Sequence, residues 1–130
     1  MLGLMVESSV LVAVASQPSL PMPLGKSRKG DLGLSPGDLA VVKERVAEGA
    51  CAIGLRFTED PLVRPERFER MRQEFGDGFI GVEIDSSKGN AHGFPRDAHS
   101  VLTMEYDDTP GHPSHDAYQL VIEHMKERLL

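Results

Sequence analysis

The apolar residues of this chain fall into three short runs, at residues 10–15, 51–57 and 79–84, separated by longer segments of mixed polarity. Within the runs, apolar side chains follow one another with few polar interruptions and without strict alternation. Such runs are typical of strands that are covered on both faces, as in a parallel sheet. The pattern therefore predicts three buried strands.

Helix-start and helix-stop residues flank the two segments between the runs. Ser35 stands before Pro36, which suits an N-cap followed by the first helical position, and Gly49 marks the end of that helix. The next helix is predicted to begin at Pro65 and to end at Gly76. Apolar residues recur in both at helical spacing: Leu39, Val42 and Val46 in the first, and Phe68, Met71 and Phe75 in the second.

A third helix is predicted near the carboxyl terminus, after a long polar loop over residues 85–113. It begins near Ser114, and its apolar stripe is predicted at Tyr118, Val121, Ile122, Met125 and Leu129. The alternation of strands and helices predicts right-handed crossovers and an α/β fold, with a parallel sheet of about three strands flanked by helices over residues 1–130. Ligands of such folds bind beyond the carboxyl ends of the strands.

Composition excludes some function classes without identifying one. The 130 residues suffice for one domain, and the formal net charge of −6 argues against nucleic-acid and membrane partners, which bind basic faces. The basic segment 26–29 is interpreted as a solvated loop rather than a phosphate site. The run at 10–15 is interpreted as a strand rather than a signal peptide, because no basic residue precedes it. A single cysteine excludes an internal disulfide, and the cytoplasm is the expected compartment.

Two ionisable residues follow consecutive predicted strands. Asp60 comes three residues after the second strand and precedes Pro61, and His99 lies in the loop after the third strand. A carboxylate can hold an imidazole by its Nδ1–H, and the chain order nucleophile, acid, histidine is typical of α/β-hydrolases. We therefore predict Asp60 and His99 as a catalytic acid and histidine. The simpler alternatives are a turn residue and a surface histidine, and His92 competes for the second role.

Other candidate residues have less support. His112 and His115 lie three apart near the last helix, where solvent exposure is favoured over a metal site, and no metal or cofactor is predicted. Cys51, at the start of a strand, is interpreted as an inert buried thiol. Ser16 and Ser100 do not stand between glycines in a strand-to-helix turn, as an elbow nucleophile does. We therefore predict that the nucleophile of the triad is missing from this chain.

Three segments resemble the dienelactone hydrolase family, which belongs to the α/β-hydrolases. They are VASQPSLP at residues 14–21, GLRFTED at 54–60 and DAHSVLT at 97–103. The resemblance covers nearly the whole chain but only the carboxyl-terminal half of a family member. It implies that Asp60 is the catalytic acid, that His99 is the catalytic histidine, and that a Cys or Ser nucleophile lies in a Gly-rich elbow upstream of Met1.

The resemblance also implies an activity and a partner. The expected reaction is hydrolysis of a small ester or lactone through a covalent acyl-enzyme, with no cofactor or metal. Residues 1–6 would be the end of the helix that follows the elbow, and the first strand would lack a neighbour. Because an exposed sheet edge invites pairing with another chain, we predict a homo-oligomer, an aggregation-prone fragment, or a fragment that depends on its other half. The alternatives are a non-catalytic α/β interaction module or a truncated inactive product and, more remotely, a flavodoxin-like binding domain.

Overall fold

A computed structural model describes residues 1–18 and 30–130 of the chain. The strands and helices alternate in the order β1 (Val12–Ala15), α1 (Pro36–Ala47), β2 (Cys51–Phe57), α2 (Pro65–Phe75), β3 (Phe79–Ile84) and α3 (Pro113–Leu129). Short 3-10 helices cover Leu2–Val6 and Gly76–Gly78. The basic segment 26–29, interpreted above as a solvated loop, lies outside the described residues.

The three strands form one parallel sheet in the order β1-β2-β3. β2 is the central strand and is buried along its whole length, as its continuous apolar run predicts. The three-stranded parallel sheet with flanking helices confirms the predicted fold class. β1 begins at Val12 rather than at the predicted residue 10, because Val10 donates its backbone N–H to Glu7 O (3.1 Å) in the turn that precedes the strand.

Helices cover both faces of the sheet. One apolar cluster lies on the side of α1 and α2 and includes Ala52 of β2. The other lies on the side of α3 and includes alternate residues of the same strand, Ile53 and Leu55. Because successive side chains of a strand point to opposite faces, β2 belongs to both clusters. The loop that carries Asp60 therefore leaves a strand that is covered on both faces.

Two glycines allow the aromatic residues of one face to lie directly on the sheet. Gly54 of β2 is paired in register with Gly81 of β3. A Cβ at residue 54 would lie 2.9 Å from the Phe68 ring and 3.0 Å from the Phe79 ring, which is closer than side chains tolerate. The Phe68 and Phe79 rings meet edge to face with centroids 5.3 Å apart. α2 therefore packs closely against the sheet beneath the loop that follows β2.

The predicted ends of the first two helices are confirmed. The Ser35 hydroxyl accepts a hydrogen bond from Asp38 N (3.1 Å), which is the expected N-cap contact before Pro36. The second helix begins at Pro65 and is followed by Gly76, which adopts a positive φ of 52°.

The predicted apolar stripe of α3 is partly wrong. Tyr118 is 39% exposed and Leu129 is 57% exposed, whereas Ala117 and Val121 are buried against the sheet. The buried face therefore centres on small and β-branched residues. Tyr118 instead pairs with Tyr106, the ring centroids lying 5.6 Å apart. Hydrophobicity alone predicted that Tyr118 would be buried. Its ring instead packs against an aromatic partner at the surface.

The amino-terminal residues form a 3-10 helix over Leu2–Val6, in the stretch where the sequence predicted the end of a helix. Met5 is buried in the cluster on the α1 side. Among the residues that the structure describes, no helix is long and apolar enough to cross a membrane.

Candidate active site

Asp60 lies in a tight loop just beyond the carboxyl end of β2. Its backbone N–H donates to Phe57 O (3.3 Å), and its carboxylate is fully buried. The Oδ1 atom accepts hydrogen bonds from Leu62 N (2.8 Å) and Val63 N (3.3 Å). The Oδ1 atom therefore stabilises the turn, which is the simpler alternative that the sequence analysis gave for Asp60. The other oxygen, Oδ2, is left for a further partner.

That partner is His99. The distance between His99 Nδ1 and Asp60 Oδ2 is 2.6 Å, and 25% of the histidine side chain is exposed. Because an ionised carboxylate only accepts hydrogen bonds, the proton of this bond belongs to Nδ1. The ring is thereby held in the tautomer whose Nε2 is free to accept a proton. The structure brings together the two residues that the sequence predicted.

The residue after His99 ties its loop to the end of β1. The Ser100 backbone N–H donates to Glu105 Oε2 (2.8 Å), and the Ser100 hydroxyl donates to Gln17 Oε1 (2.7 Å). Gln17 follows β1 by two residues. Loops from all three strand ends therefore meet at one edge of the sheet, where ligands of parallel α/β folds bind. The Ser100 hydroxyl is engaged by Gln17 and serves this connection.

The ends of β2 and β3 are also joined to each other. Thr58 N donates to Ile84 O (2.9 Å), continuing the ladder by one residue. Ser86, which is fully buried, accepts from Glu59 N (3.1 Å) and donates its own N–H to the Thr58 hydroxyl (3.0 Å). The loop that carries Asp60 is therefore fixed on the β3 side. The sequence analysis missed Ser86, because a serine at the start of a polar loop carries no distinguishing pattern.

Arg56 is a second residue that the sequence analysis missed. It is 2% exposed, although it is a charged residue in the penultimate position of a buried strand. Its Nε donates to Val63 O (2.9 Å) and its Nη2 to Thr58 O (3.0 Å). A cation in an otherwise apolar run was the available signal, since charged side chains are rarely buried without partners.

The other candidate histidines, one a competitor for the catalytic role and two weighed as metal ligands, lie elsewhere. The His92 ring packs against His112 and Phe94, with centroid distances of 5.1 Å and 6.2 Å. His112 Nδ1 bonds to the Ser114 hydroxyl (2.8 Å). His115 Nδ1 lies 3.3 Å from Asp116 Oδ1. Within residues 1–18 and 30–130, no three His, Cys, Asp or Glu side chains are grouped as a metal site requires.

Cys51 is buried at the amino end of β2, as predicted, with 1% of its surface exposed. Burial raises the pKa of its thiol. The carboxyl end of the same strand carries the Asp60 loop, so the thiol lies at the opposite end of β2 from the dyad. The structure gives Cys51 the environment of an inert core residue.

The sequence analysis assigned Ser35 as a helix N-cap but missed its match to a catalytic motif. Gly33-Leu34-Ser35-Pro36-Gly37 matches the Gly-x-Ser-x-Gly spacing of a nucleophile elbow. The structure places Ser35 as the N-cap of α1, with φ −66° and ψ 159° and with its hydroxyl accepting from Asp38 N. An elbow needs a strained turn directly after a strand, whereas this backbone is relaxed and extended. The spacing match therefore has a structural explanation as a helix cap.

A cavity of about 450 Å³ lies beside the edge strand β3. Its lining includes Ile84, Asp85, His92 and the first turns of α3, and it includes neither Asp60 nor His99. The hydrogen bonds of Asp85 to Ser87 and Thr58 lower the pKa of its carboxyl. The cavity is therefore distinct from the Asp60–His99 dyad.

Comparison with protein-family models, curated proteins and solved structures gives no match for this chain. A buried carboxylate, an oriented imidazole with a partly exposed ring and a fixed strand-end loop are the parts of an acid–base pair.

Proposed function

We propose that this chain supplies the acid and the histidine of a nucleophile–acid–histidine triad in an α/β-hydrolase of dienelactone hydrolase type. The observation that carries the proposal is the 2.6 Å bond between His99 Nδ1 and Asp60 Oδ2, formed at the carboxyl edge of a parallel sheet. The two residues come from consecutive strand-end loops, in the chain order that α/β-hydrolases use.

In this proposal, each member of the pair has one role. Asp60 orients the imidazole of His99 and stabilises the imidazolium formed during proton transfer. His99 Nε2 takes the proton of a Ser or Cys nucleophile as that atom attacks the carbonyl carbon of the ester, and then gives the proton to the leaving alcohol. Nε2 next takes a proton from water as the water attacks the acyl-enzyme, and returns it to the Ser or Cys nucleophile as the acyl bond breaks, which releases the acid. The nucleophile is proposed to come from a Gly-rich elbow encoded ahead of Met1.

The surroundings of the pair support this division of roles. The two backbone N–H groups that donate to Asp60 Oδ1 fix the orientation of the carboxylate, so that Oδ2 faces His99 Nδ1. The proposed substrates are small esters or lactones, and neither a cofactor nor a metal has a role in this scheme. A cytoplasmic location is proposed with it as the default, because a chain with a single cysteine forms no internal disulfide that would point to an oxidising compartment.

The test is a steady-state assay of the product of the complete open reading frame, with phenyl acetate and a small lactone as substrates. We expect Asp60→Asn to lower kcat about 10⁴-fold, by analogy with triads in which the aspartate is replaced. His99→Gln is expected to have at least as large an effect. His92→Gln is the matched control and should retain kcat, because His92 packs against aromatic rings away from the pair.

The proposal fails if His99→Gln retains more than about a tenth of the wild-type kcat, since losing a triad histidine removes far more than tenfold. Circular dichroism of each variant separates a lost proton transfer from a lost fold. A fold-intact His99→Gln protein with no turnover, beside an active His92→Gln protein, supports the assignment.

A second candidate function, a non-catalytic interaction module, is favoured by the edge of the sheet. β1 is an edge strand, with no strand on its outer side among the described residues. An uncovered edge strand presents backbone N–H and C=O groups with which another chain can pair. Sedimentation of the 130-residue chain distinguishes the outcomes: a homo-oligomer supports pairing through β1, and a concentration-independent monomer contradicts it.

A further inference from the structure

The loop that carries Asp60 is held at both ends by one side chain, that of Arg56. Arg56 Nη2 donates to Thr58 O (3.0 Å), where the loop leaves β2. Arg56 Nε donates to Val63 O (2.9 Å), where the loop turns toward α2. The guanidinium therefore spans the two ends of the segment 58–63.

Val63 connects this clamp to the acid. Its carbonyl oxygen accepts from Arg56, and its backbone N–H donates to Asp60 Oδ1 (3.3 Å). A shift of Val63 would therefore change a hydrogen bond that orients the Asp60 carboxylate. The two oxygens belong to one planar carboxylate, and Oδ2 bonds to His99 Nδ1. A rotation of the carboxylate would therefore also change the position of the imidazole.

The guanidinium itself is held in place by its neighbours. Its central carbon lies 5.8 Å from the Phe68 ring centroid, a cation–π distance, and Nη1 lies 3.6 Å from Glu83 Oε1. Gly54, on the same face of β2, provides the space that the Phe68 ring occupies. The planar fork of arginine can donate to two separate carbonyls at once, which the single ammonium group of a lysine cannot reproduce with the same geometry.

We propose that Arg56 is a positioning residue for the acid–histidine pair. It fixes the loop 58–63 so that the Asp60 carboxylate presents Oδ2 to His99 Nδ1. This inference rests on the proposed function for its catalytic consequence, but its structural part concerns only the Asp60–His99 bond. It can therefore be tested in the 130-residue chain without any turnover.

The test is proton NMR of the ¹⁵N-labelled 130-residue chain, observing the low-field resonance of the His99 Nδ1 proton. Wild-type protein should show this resonance, and Asp60→Asn should lose it, which assigns it. Arg56→Met should lose or broaden the resonance while the amide spectrum of the sheet persists. Arg45→Met is the matched control, because Arg45 also donates to backbone carbonyls but at the amino end of β1, and it should retain the resonance.

Arg56→Lys keeps the charge and gives a second measure that does not depend on the methionine variant folding. We expect Arg56→Lys to weaken the low-field resonance at 25 °C, whereas a purely electrostatic role would leave it intact. An unchanged resonance in folded Arg56→Lys overturns the proposal, whatever the methionine variant does. Loss of the resonance in Arg45→Met as well would also overturn it, because the effect would then be general loosening.

Kinetics of the complete reading-frame product separate this inference from the proposed function. If that product hydrolyses esters, Arg56→Lys should lower kcat about 10-fold to 100-fold with KM within about twofold, as expected for misplaced catalytic groups. Absence of ester hydrolysis in the wild-type product overturns the proposed function and leaves the NMR result to decide the role of Arg56. Unchanged kcat in Arg56→Lys overturns the positioning role alone.

Discussion

Two arginines hold backbone carbonyls at opposite ends of the sheet, and only one of them is coupled to candidate chemistry. Arg45 of α1 donates to Met5 O (2.7 Å), Val10 O (2.9 Å) and Ser8 O (3.0 Å), and also to Glu7 O. It fixes the chain as it enters the amino end of β1. Arg56 likewise donates to backbone carbonyls, at the carboxyl end of β2.

The difference lies in what each clamped segment carries. The segment 58–63 held by Arg56 presents Asp60 to His99, at the edge where loops from all three strands meet. The segment 5–10 held by Arg45 leads into β1. An arginine that donates to backbone carbonyls therefore stabilises the fold at the amino end of the sheet and a candidate site at the carboxyl end. The carboxyl end is where parallel α/β sheets bind their ligands.

The largest expected difference between the two ends is in stability. Arg56→Met should lower the free energy of unfolding by about 3 kcal/mol, because buried carbonyls and Glu83 lose a partner. Arg45 is half-buried, and Arg45→Met should cost about 1 kcal/mol, because water can reach part of its contacts. Urea unfolding of both variants measures the difference. Equal losses would contradict the account of Arg56 as the more deeply embedded clamp.

A smaller effect is expected from filling the space beneath Arg56. Gly54→Ala places a methyl group 2.9 Å from the Phe68 ring and should cost about 2 kcal/mol, as overpacked cores do. Gly37→Ala is the control, because its new Cβ would lie 3.9 Å from the Ser35 hydroxyl oxygen, which is an ordinary van der Waals distance. Gly37→Ala should leave stability unchanged or slightly raised. If the two alanine variants unfold at the same urea concentration, the Phe68 ring is not tightly packed against Gly54.

A pH-dependent effect should arise away from both arginines. Lys43 and Arg70 hydrogen-bond Glu74 at 2.9 Å and 2.7 Å and lower the pKa of its carboxyl below the ordinary value. A lowered folded-state pKa contributes stability above the unfolded-state pKa, and this contribution is lost as the pH falls through the folded-state pKa. Lys43→Met should therefore lower the Tm slightly at pH 7, and the difference should shrink at about pH 3. A Tm difference that grows in acid would reverse this interpretation.

The smallest effect distinguishes the ends through a chemical probe. Cys51 lies at the amino end of β2, and its backbone N–H donates to Leu11 O (3.0 Å), next to the segment that Arg45 holds. Native protein should react slowly with a thiol reagent, because the thiol is buried and its pKa is raised. Arg45→Met should speed this reaction about fivefold through local opening of about 1 kcal/mol. An unchanged rate in Arg45→Met would contradict the coupling of the Arg45 segment to the amino end of β2.

The sequence was sufficient for the elements and for the pair. Residues 51–57 and 79–84 were predicted as strands with the bounds that the structure has, because the strands of a covered parallel sheet leave mostly apolar runs. Asp60 and His99 could be paired in advance because the carboxyl ends of parallel strands meet at one edge. The positions of these two residues after consecutive strands were therefore enough to predict that they lie close together in the fold.

The support for the pair could not be predicted in the same way. Arg56 and Ser86 act through the backbone groups that the fold places beside them, and those partners have no fixed spacing in sequence. The buried face of α3 was misjudged because Tyr118 and Ala117 are adjacent, and hydrophobicity favours the larger side chain. At Ser35 the sequence matches the Gly-x-Ser-x-Gly motif, but the structure uses this serine only as a helix N-cap.

The central claim is that Asp60 and His99 belong to a triad whose nucleophile is encoded ahead of Met1, and reading the coding DNA upstream of the Met1 codon tests it most directly. The account predicts an uninterrupted frame that encodes a strand followed by a Gly-x-Cys-x-Gly or Gly-x-Ser-x-Gly turn. An in-frame stop codon directly upstream, or a continuing frame with no such turn, would contradict it.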